Sequence, residues 1–521
     1  MRNLKRALSL ALAAIMLIGM MVVSASAVSY NDLTDKDQIV NKDAVSMLVS
    51  LGIIEGKPDG SYAPTENVDR AQMAKMLSVI MNKGVDNSAL YQSVNSGLTD
   101  ITSNWAKGHI NYCYTTGIIA GRGNGTFDPS ATVTALEAAK MLLVAVGYDP
   151  AIEGFEGADW AINVSVRADE QGIFEGFTKD LSAPLNRDDA ALLIYNALDV
   201  EMIQSYTTNN YPIAYSDHRT ILADKYGVIK VQGVVVANEW ASLASDDGDA
   251  ALKEGKTTIY NGEGIFSTTG NTTVSKEDAS LKTQTFNVST PVDMLGKTVN
   301  LYIKKTTILA DSTVYGDPVV SDVNTVVTTG ETVLYSGAKD PQVDYDKLLG
   351  ENGLTDKDAK YFWNYNSGKY IPNTTEKYGD KTANVKGATL TIIDNNGDGE
   401  VDYVLSVEKA LADITSVNSK KETVTVRTLG TLDNKDVVGY EDMAKEDVVL
   451  YVQYGGRTYL EKPEVVTGEM EHFNVKGTEK YMTVGGEKYK ADELETNART
   501  EVVKFDVTEC DKANGVQFET S

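Results

Sequence analysis

Residues 117–129 read GIIAGRGNGTFDP and are followed at residues 133–142 by VTALEAAKML. At an offset of 65 residues, the same pattern reads GIIEGKPDGSYAP at residues 52–64 and VDRAQMAKML at residues 68–77. A diverged third copy extends over residues 172–193. Recurrence at this period indicates one supersecondary unit that the chain uses three times.

Each copy carries the signals of two helices joined by a glycine-rich loop. A glycine at position 52, 117 or 172 follows an apolar run, where a left-handed helix C-cap is expected. The second helix is predicted to open on a capping box. The pairs are Asp69 with Gln72, Thr134 with Glu137 and, more weakly, Asn186 with Asp189. Because one unit of this size cannot bury its apolar stripe alone, the three copies are expected to share one core.

With these motifs, residues 28 to about 203 resemble a tandem of three S-layer homology (SLH) domains. The match includes the Gly-Ile-Ile-x-Gly and Gly-Thr-Phe-Asp-Pro segments. It also includes an Asp-containing segment at the start of the second copy, Leu98-Thr99-Asp100, with Trp105. The resemblance implies an all-α SLH trimer, a helical module with pseudo-threefold symmetry. It also implies non-covalent binding of secondary cell-wall polysaccharide, often pyruvylated and anionic, in grooves between repeats.

The resemblance also gives six candidate polysaccharide contacts, which are Arg70, Arg187, Lys57, Arg122, Trp105 and Trp160. Arginine at a helix N-terminus combines a bidentate guanidinium with free backbone amides, which suits a carboxylate or phosphate. Arg70 and Arg187 hold this position, and the alternative is a solvated side chain. We expect their replacement by alanine to weaken wall binding with little loss of folding. In the second copy Ala135 replaces the arginine, and Arg122, aligned with Lys57, is the other source of charge.

Trp105 and Trp160 align at the first helix of the second and third copies, whereas Val40 takes that place in the first. A tryptophan there either packs in the core or stacks on a sugar ring, and the sequence leaves both roles open. The third copy has a shorter loop and lacks the Phe-Asp-Pro element. It is therefore expected to be mainly structural.

Composition changes near residue 206, where Thr, Val, Gly and Tyr replace the helical stripe. Alternating segments such as residues 298–303 and 448–452 are typical of sandwiches and small barrels. The fold class predicted is thus multidomain, with the helical module followed by all-β sandwich or barrel-like domains. The predicted domains are a signal peptide at 1–27, SLH repeats at 28–92, 93–150 and 151–205, and β-rich domains at 206–340, 341–412 and 413–521.

The chain begins with the three parts of a secretory signal peptide. Arg2, Lys5 and Arg6 precede an apolar stretch, and Ala-Ser-Ala stands before Val28. No later stretch is long and apolar enough to span a bilayer, and a net charge of −26 disfavours a nucleic-acid partner. We therefore expect a protein secreted to the cell wall or S-layer of a bacterium, without a transmembrane anchor. The last residues do not look like a natural end, so a fragment is expected.

One loop of the β-rich region has the composition of a calcium site. Residues 394–402 read DNNGDGEVD, which places oxygen ligands at positions 1, 3, 5 and 9 of a calcium loop and glycine at position 6. The candidate metal ligands are Asp394, Asn396, Asp398, Glu400 and Asp402. Position 12 is Leu405 and the flanks look like strands, so a plain hairpin turn is the alternative. Clustered carboxylates would repel one another without a cation. We therefore hypothesise a weak Ca²⁺ site of the extracellular type.

The sequence contains none of the short catalytic motifs considered next. The sequence lacks H-E-x-x-H, a G-x-S-x-G with a plausible triad and the Lys-Ser/Thr of a phosphate loop, although glycosidase carboxylates have no short motif. We therefore predict a non-enzymatic S-layer or envelope protein, anchored through its SLH module to wall polysaccharide, with self-assembly into a lattice as a further hypothesis. The alternatives are an SLH-anchored adhesin or ligand-binding protein and an SLH-anchored polysaccharide hydrolase.

Overall fold

A computed structural model describes residues 30–243, 251–265, 282–304, 312–328, 345–367, 388–463, 470–476, 479–484 and 486–491. The predicted signal peptide lies outside these residues. The chain divides into two compact units that alternate along the sequence. The first comprises Met1–Gln232, Asn261–Val288 and Asn300–Val319, and the second Gly233–Tyr260, Ser289–Val299 and Val320–Ser521.

The N-terminal region is helical, as the sequence predicted. Its helices are α1 (Lys42–Ser50), α2 (Arg70–Met81), α3 (Ser88–Tyr91), α4 (Lys107–Thr115), α5 (Ala135–Val146), α6 (Trp160–Glu170) and α7 (Arg187–Leu198). The three copies correspond to the pairs α1 and α2, α4 and α5, and α6 and α7. Within the residues that the structure describes, no helix has the length and apolarity needed to cross a bilayer.

The predicted helix caps are present. Both capping boxes are complete, with Asp69 and Gln72 opening α2 and Thr134 and Glu137 opening α5. At α7 only half of the box forms, because the Asn186 side chain accepts a bond from the Asp189 amide without a reciprocal one. The glycines at positions 52, 117 and 172 have φ of +70°, +80° and +70°, which is the left-handed conformation expected just after a helix.

One hydrophobic core contains side chains from all three helix pairs. The short extended segments that precede α2, α5 and α7 meet in single β-bridges. These bridges join Asn67 to Asn186, Asp69 to Thr132, and Thr134 to Pro184. Each of the three second helices therefore starts beside the other two, so that loops of one copy reach the helix start of another.

Strands follow the helices, as predicted. Up to residue 320 they are β1 (Ile203–Tyr206), β2 (Pro212–Ala214), β3 (Val228–Asn238), β4 (Thr257–Tyr260), β5 (Thr283–Phe286), β6 (Thr298–Lys304) and β7 (Thr313–Val320). The pairs β1 with β2 and β3 with β4 are antiparallel. A π-helix at Leu222–Tyr226 precedes β3.

Packing of the first unit extends past residue 206. Ile221, Leu222, Val228 and Tyr302 are buried in the same core as the three helix pairs. The Tyr302 ring meets that of Tyr195 on α7 edge-on at 5.9 Å, and their hydroxyls are 3.1 Å apart. The helices and these later segments thus form one packed body. The domain boundaries drawn from the sequence stay predictions.

The second unit contains a five-stranded mixed sheet. Its elements are β8 (Thr325–Thr328), α8 (Tyr345–Glu351), β9 (Lys360–Trp363), β10 (Asn366–Ser367), β11 (Ala388–Asp394) and β12 (Tyr403–Glu408). The strand order is β10-β9-β12-β11-β8, with β9 and β12 parallel and the other pairs antiparallel. Leu349 of α8 packs with Leu390 and Val404 of the sheet.

Two further sheets lie in the second unit, which also contains β4 and the end of β3. Their strands are β13 (Ala410–Asn418), β14 (Thr423–Val426), β15 (Gly430–Asp433), β16 (Val437–Val438), β17 (Val448–Tyr454), β18 (Arg457–Glu461), β19 (Met470–Lys476), β20 (Glu479–Val484) and β21 (Glu487–Ala491). The orders are β15-β14-β13-β17-β18-β16 and β19-β20-β21. Several β sheets were predicted here and are confirmed, whereas their arrangement as sandwiches or barrels stays a prediction.

A buried histidine gives the helical core a pH dependence. His109 on α4 is 4% exposed, with Nδ1 2.5 Å from the Ser78 hydroxyl and Nε2 3.7 Å from an Asp86 carboxylate oxygen. Burial lowers its pKa from the ordinary 6.5 despite the opposing effect of Asp86. The folded state therefore favours the neutral imidazole. Its contribution to stability is present above about pH 6.5 and is lost as the pH falls through the lower folded pKa.

We accordingly expect acidification from pH 7 to pH 5 to reduce the free energy of unfolding of the helical region. His109→Gln keeps a side chain that can bond Ser78 but does not titrate, so the variant should lose less stability than the parent over this range. Urea unfolding followed by circular dichroism at both pH values measures the difference. Equal losses in parent and variant would show that His109 does not carry the effect.

Candidate functional site

The Arg70 guanidinium joins the start of α2 to the loop of the second copy. Its Nε donates to the Phe127 carbonyl and Nη2 to the Ala120 carbonyl, both at 2.9 Å. The guanidinium carbon lies 4.4 Å from the centre of the Phe127 ring. With 4% of its surface exposed, Arg70 is not the solvated helix-start residue that the sequence left open. Burial lowers its pKa, and the two carbonyls, the ring and the Glu137 carboxylate, 3.9 Å from Nη1, compensate the buried charge.

An aspartate holds the loop that Arg70 contacts. The two carboxylate oxygens of Asp100 accept the amides of Phe127 and Asp128 at 2.9 and 2.7 Å. Although burial raises the pKa of Asp100, these amide bonds hold it below its ordinary value. Asp128 has a left-handed φ of +62°, which is strained for a residue with a Cβ. The carboxylate clamp therefore stabilises a conformation that the loop would otherwise avoid.

The same arrangement occurs where α7 meets the loop of the first copy. Arg187 Nε donates to the Tyr62 carbonyl at 2.8 Å, and the guanidinium carbon lies 4.8 Å from the Tyr62 ring centre. Asp35 accepts the amides of Tyr62 and Ala63 at 2.7 and 2.8 Å. Ala63 has a φ of +56°, which matches the strained residue of the second copy. We call the Arg70 contact with the second loop junction A, and the Arg187 contact with the first loop junction B.

A third contact, junction C, joins α5 to the loop of the third copy. The Leu136 amide donates to the Leu181 carbonyl at 3.1 Å, and Ala135 is fully buried. Equivalent backbone bonds exist at the other junctions, from Ala71 to Pro129 and from Asp188 to Pro64. Junction C thus keeps the backbone contact but has no guanidinium, as expected from Ala135.

Two cations lie at the exposed side of junctions A and B. Arg122, 36% exposed, has Nη1 3.2 Å from a Glu137 oxygen and Nη2 3.7 Å from an Asp128 oxygen. Lys57, 33% exposed, forms an ion pair with Glu66. All three ion pairs use carboxylates of the cation's own copy. Because partly exposed ion pairs contribute little to stability, an external anion can replace these carboxylates as partners of Arg122 and Lys57 at small cost. Glu137 meanwhile keeps its bond to the Thr134 amide and its contact with Arg70.

The two tryptophans differ in how far their side chains are buried. Trp160 packs against the core, with Lys140 Nζ 5.7 Å from its ring centre. Trp105 is 58% exposed, and Val40, the aligned residue of the first copy, is 82% exposed. The core role therefore fits Trp160, whereas the Trp105 ring is accessible to a ligand. None of these observations tests whether either ring contacts polysaccharide.

The predicted site residues do not include the clamping aspartates or the rings of Tyr62 and Phe127, although the sequence contains a signal for the aspartates. Leu33-Thr34-Asp35 repeats as Leu98-Thr99-Asp100 at the same offset as the loops. Each threonine amide also bonds the loop, Thr34 to the Gly60 carbonyl and Thr99 to the Gly125 carbonyl. A motif shared by two copies at constant spacing was sufficient to predict a common role for both aspartates.

The loop at residues 394–402 connects β11 to β12, so it is a hairpin loop. The Asp394 carboxylate accepts the amides of Asn396, Gly397 and Gly399 at 2.7 to 3.1 Å. Asn396 accepts the Asp398 amide and Asp398 accepts the Glu400 amide. Among the residues that the structure describes, which include this loop, no three His, Cys, Asp or Glu side chains group to hold a metal ion. The bonds fit a turn, and calcium binding stays a prediction.

Comparison with known proteins finds a family match over the first two copies of the helical region. A family model described as "S-layer homology domain" matches residues 29–74 and 97–139. The chain is 28% identical over 273 residues to a "Cell surface protein" of Thermoanaerobacter kivui, which covers 51% of this chain and 32% of the relative. It is 32% identical over 113 residues to an "S-layer protein" of Bacillus licheniformis, at 22% and 12% coverage. An "Exoglucanase XynX" of Acetivibrio thermocellus is 28% identical over 192 residues, at 34% and 17% coverage.

The chain therefore carries two S-layer homology domains, and its relatives place it at the cell surface among cell-envelope proteins. It spans about a third of the length of the first of these relatives and less of the other two. Junction A lies within the matched segments, whereas α7 of junction B follows them.

Proposed function

We propose that the chain is an exported structural protein of the cell envelope, of S-layer or S-layer-associated type. Its SLH module would bind non-covalently to secondary cell-wall polysaccharide and so anchor the protein. The observation that carries the proposal is the pair of built junctions, of which junction A lies within the SLH-matched segments. Each combines an arginine, buried at junction A and half-buried at junction B, with an aromatic ring, a clamped loop and one partly exposed cation. Such rigid loops suit ligand binding because they hold contact groups in place before the ligand arrives.

The ligand chemistry follows from the exposed cations. An anionic sugar would reach Arg122 at junction A and Lys57 at junction B. Its carboxylate would replace Glu137 as the partner of Arg122 and Glu66 as the partner of Lys57. Arg70 and Arg187 would position the loops rather than supply the main contact, since their Nε atoms already bond backbone carbonyls. A pyruvylated polysaccharide carries the required carboxylate. The Trp105 ring offers a face for stacking on a neighbouring sugar.

The third copy is part of this proposal. Residues 151–205 would form a third SLH repeat and complete a pseudo-threefold trimer. Supporting observations are the α6 and α7 pair, the Asn186 cap at the helix start and the left-handed Gly172. The β-rich domains would then build or decorate the surface, with self-assembly into a lattice.

Two alternatives use the same anchor. The likeness to an exoglucanase, which extends over part of the chain, favours an anchored polysaccharide hydrolase. The other alternative is an anchored ligand-binding adhesin. Release of reducing sugar from wall glycans by the purified chain would favour the hydrolase over the structural protein.

Sedimentation with purified Gram-positive walls tests the proposed function. The intact chain should pellet with the walls, because the SLH module would bind their polysaccharide. It should stay in the supernatant when the polysaccharide has been removed chemically, which leaves the peptidoglycan as the matched control. Equal pelleting with stripped walls would contradict anchoring through polysaccharide.

We also propose that residues 394–402 bind calcium, which a separate experiment can test. Burial and the neighbouring Asp398 and Asp394 carboxylates raise the pKa of Asp402, so a cation would relieve repulsion here. A site with Kd on the order of 10⁻⁴ to 10⁻³ M would add about 0.4 to 1.4 kcal/mol at 1 mM calcium. Calorimetry of the intact chain with EDTA and with calcium measures this gain. Asp398→Asn keeps an oxygen acceptor for the Glu400 amide but loses the charge, so the gain should vanish.

A further inference from the structure

We infer that β7 is a strap on α1 that tightens in acid. The carboxyl groups of Asp43 on α1 and Asp317 on β7 lie on the two sides of one seam, and protonation of Asp43 removes the repulsion between them. The strap belongs to the fold of the first unit and does not depend on what the helical module binds. The residues of the seam lie in the ranges 30–243 and 312–328, which the structure describes.

Backbone and hydroxyl contacts hold β7 on α1. The Gly316 amide donates to the Ser50 hydroxyl at 3.2 Å, and that hydroxyl donates in turn to the Ser46 carbonyl at 2.8 Å. The Ser46 hydroxyl donates to an Asp317 carboxylate oxygen at 3.2 Å. Gly316 has a φ of +66°, and a Cβ there would lie only 3.2 Å from the Met47 Cα. The strand therefore approaches the backbone of α1 this closely because position 316 has no side chain.

The seam brings two like charges together. Asp43 precedes Ser46 by three residues on α1, so the two side chains share the face that β7 contacts. Partial loss of water around Asp43 and the charge of Asp317 raise the pKa of Asp43, against the opposing effect of Lys42. Asp43 and Asp317 both remain accessible to solvent. Protons can therefore reach the seam, and the pair can titrate.

Other titratable groups near the seam do not reverse the effect of acid. The Asp199 carboxylate, whose charge reaches the same tyrosines as that of Asp43, pairs with Lys230 at 3.1 Å. Tyrosines near the seam stay neutral below pH 7, because burial raises the pKa of each. They are Tyr30, Tyr195, Tyr302 and Tyr315.

Two further acids lie near the start of α1. The Asp188 carboxylate accepts the amides of residues 40 and 41, and burial raises the pKa of Asp188. Asp37 adds a negative charge near Tyr30. Neither acid contacts β7 through a bond that the seam uses, so a test has to separate Asp43 from them.

The direction of the pH dependence follows from the Asp43 carboxyl. Because its folded pKa lies above the ordinary 3.8, the folded seam binds a proton more readily than the unfolded chain does. The stabilisation is fully present below about pH 3.8 and is lost as the pH rises through the folded pKa. Acid thus tightens the strap, whereas it weakens the helical core at His109.

Hydrogen exchange of β7 in the intact chain tests the inference. Mass spectrometry of peptides that contain residues 313–317 gives the protection factor of the strap, corrected for the intrinsic effect of pH on exchange. In the parent this factor should rise roughly two- to fivefold from pH 7 to pH 4.5, as expected when a pair of like charges loses its repulsion. Asp43→Asn should have the higher protection already at pH 7 and gain nothing further in acid.

Ser46→Ala is the matched control, because it removes the hydroxyl that bonds Asp317 and leaves both charges in place. Its protection factor should be lower than that of the parent at both pH values and should keep the gain in acid. A parent without this gain would overturn the inference. An equal gain in the parent and Asp43→Asn would overturn it too, since the effect would then belong to another acid such as Asp188.

Discussion

Replacing Arg70 with alanine is expected to lower the free energy of unfolding of the helical unit by about 3 kcal/mol. The buried Phe127 carbonyl and the carbonyl of the exposed Ala120 lose their donor at the same time. The Phe127 ring also loses the guanidinium that covers one face. This replaces the sequence-based expectation that Arg70→Ala would affect binding with little loss of folding, because that expectation assumed an accessible side chain.

Chemical denaturation followed by circular dichroism measures the loss. Arg70→Lys keeps the charge and most of the aliphatic chain but cannot reach both carbonyls, so its stability should fall between those of parent and alanine variant. Arg122→Ala is the matched control at the same junction, since its partly exposed ion pairs should change stability by less than about 1 kcal/mol. Parent-like unfolding of Arg70→Ala would show that the buried contacts contribute nothing to stability.

A chain cut after residue 203 is expected to lose more stability than any single substitution considered above. The cut removes Ile221, Leu222, Val228 and Tyr302, all buried in the core of the helices. Burying a large apolar side chain contributes roughly 1.5 to 3 kcal/mol, so the loss is on the order of 5 kcal/mol or more. Because many domains are stable by only about 5 to 15 kcal/mol, residues 28–203 alone should be marginal.

The matched control is residues 28–319, which include every segment of the first unit after the predicted signal peptide. Its helical signal should unfold at a higher urea concentration than that of residues 28–203. Tyr302→Ala in the intact chain tests one of the missing contacts separately. If the short fragment unfolds at the same urea concentration as the longer one, the later segments do not support the helices.

Local signals in the sequence predicted much of the helical region. The capping boxes at Asp69 and Thr134, the glycines after the first helices and the constant offset all act over a few residues, and the structure contains each of them. Several β sheets were predicted for the same reason, from alternating polarity. The parallel pairing of β9 with β12 was not, since parallel neighbours depend on distant parts of the chain.

The contacts that build the junctions were not predictable in this way. Arg70 bonds a carbonyl 50 residues away, at Ala120, and Arg187 bonds one 125 residues away, at Tyr62. Helical periodicity shows which face of a helix is buried, but not which carbonyl a long side chain reaches. The same limit applied to Trp105 and Trp160, whose alignment is identical and whose burial differs.

Retention of a charge-reversed chain on purified walls tests the central claim, that the exposed cations of junctions A and B hold the protein on anionic polysaccharide. Each lost charge-assisted contact costs about 1.5 to 3 kcal/mol, or roughly ten- to a hundredfold in affinity. The Lys57→Glu/Arg122→Glu chain should therefore remain in the supernatant at concentrations where the parent pellets, with an unchanged circular dichroism spectrum. Lys179→Glu reverses the charge of an exposed lysine in the third loop, whose junction has no guanidinium, and as the control it should pellet like the parent. Equal retention of the double variant and the parent would contradict the account.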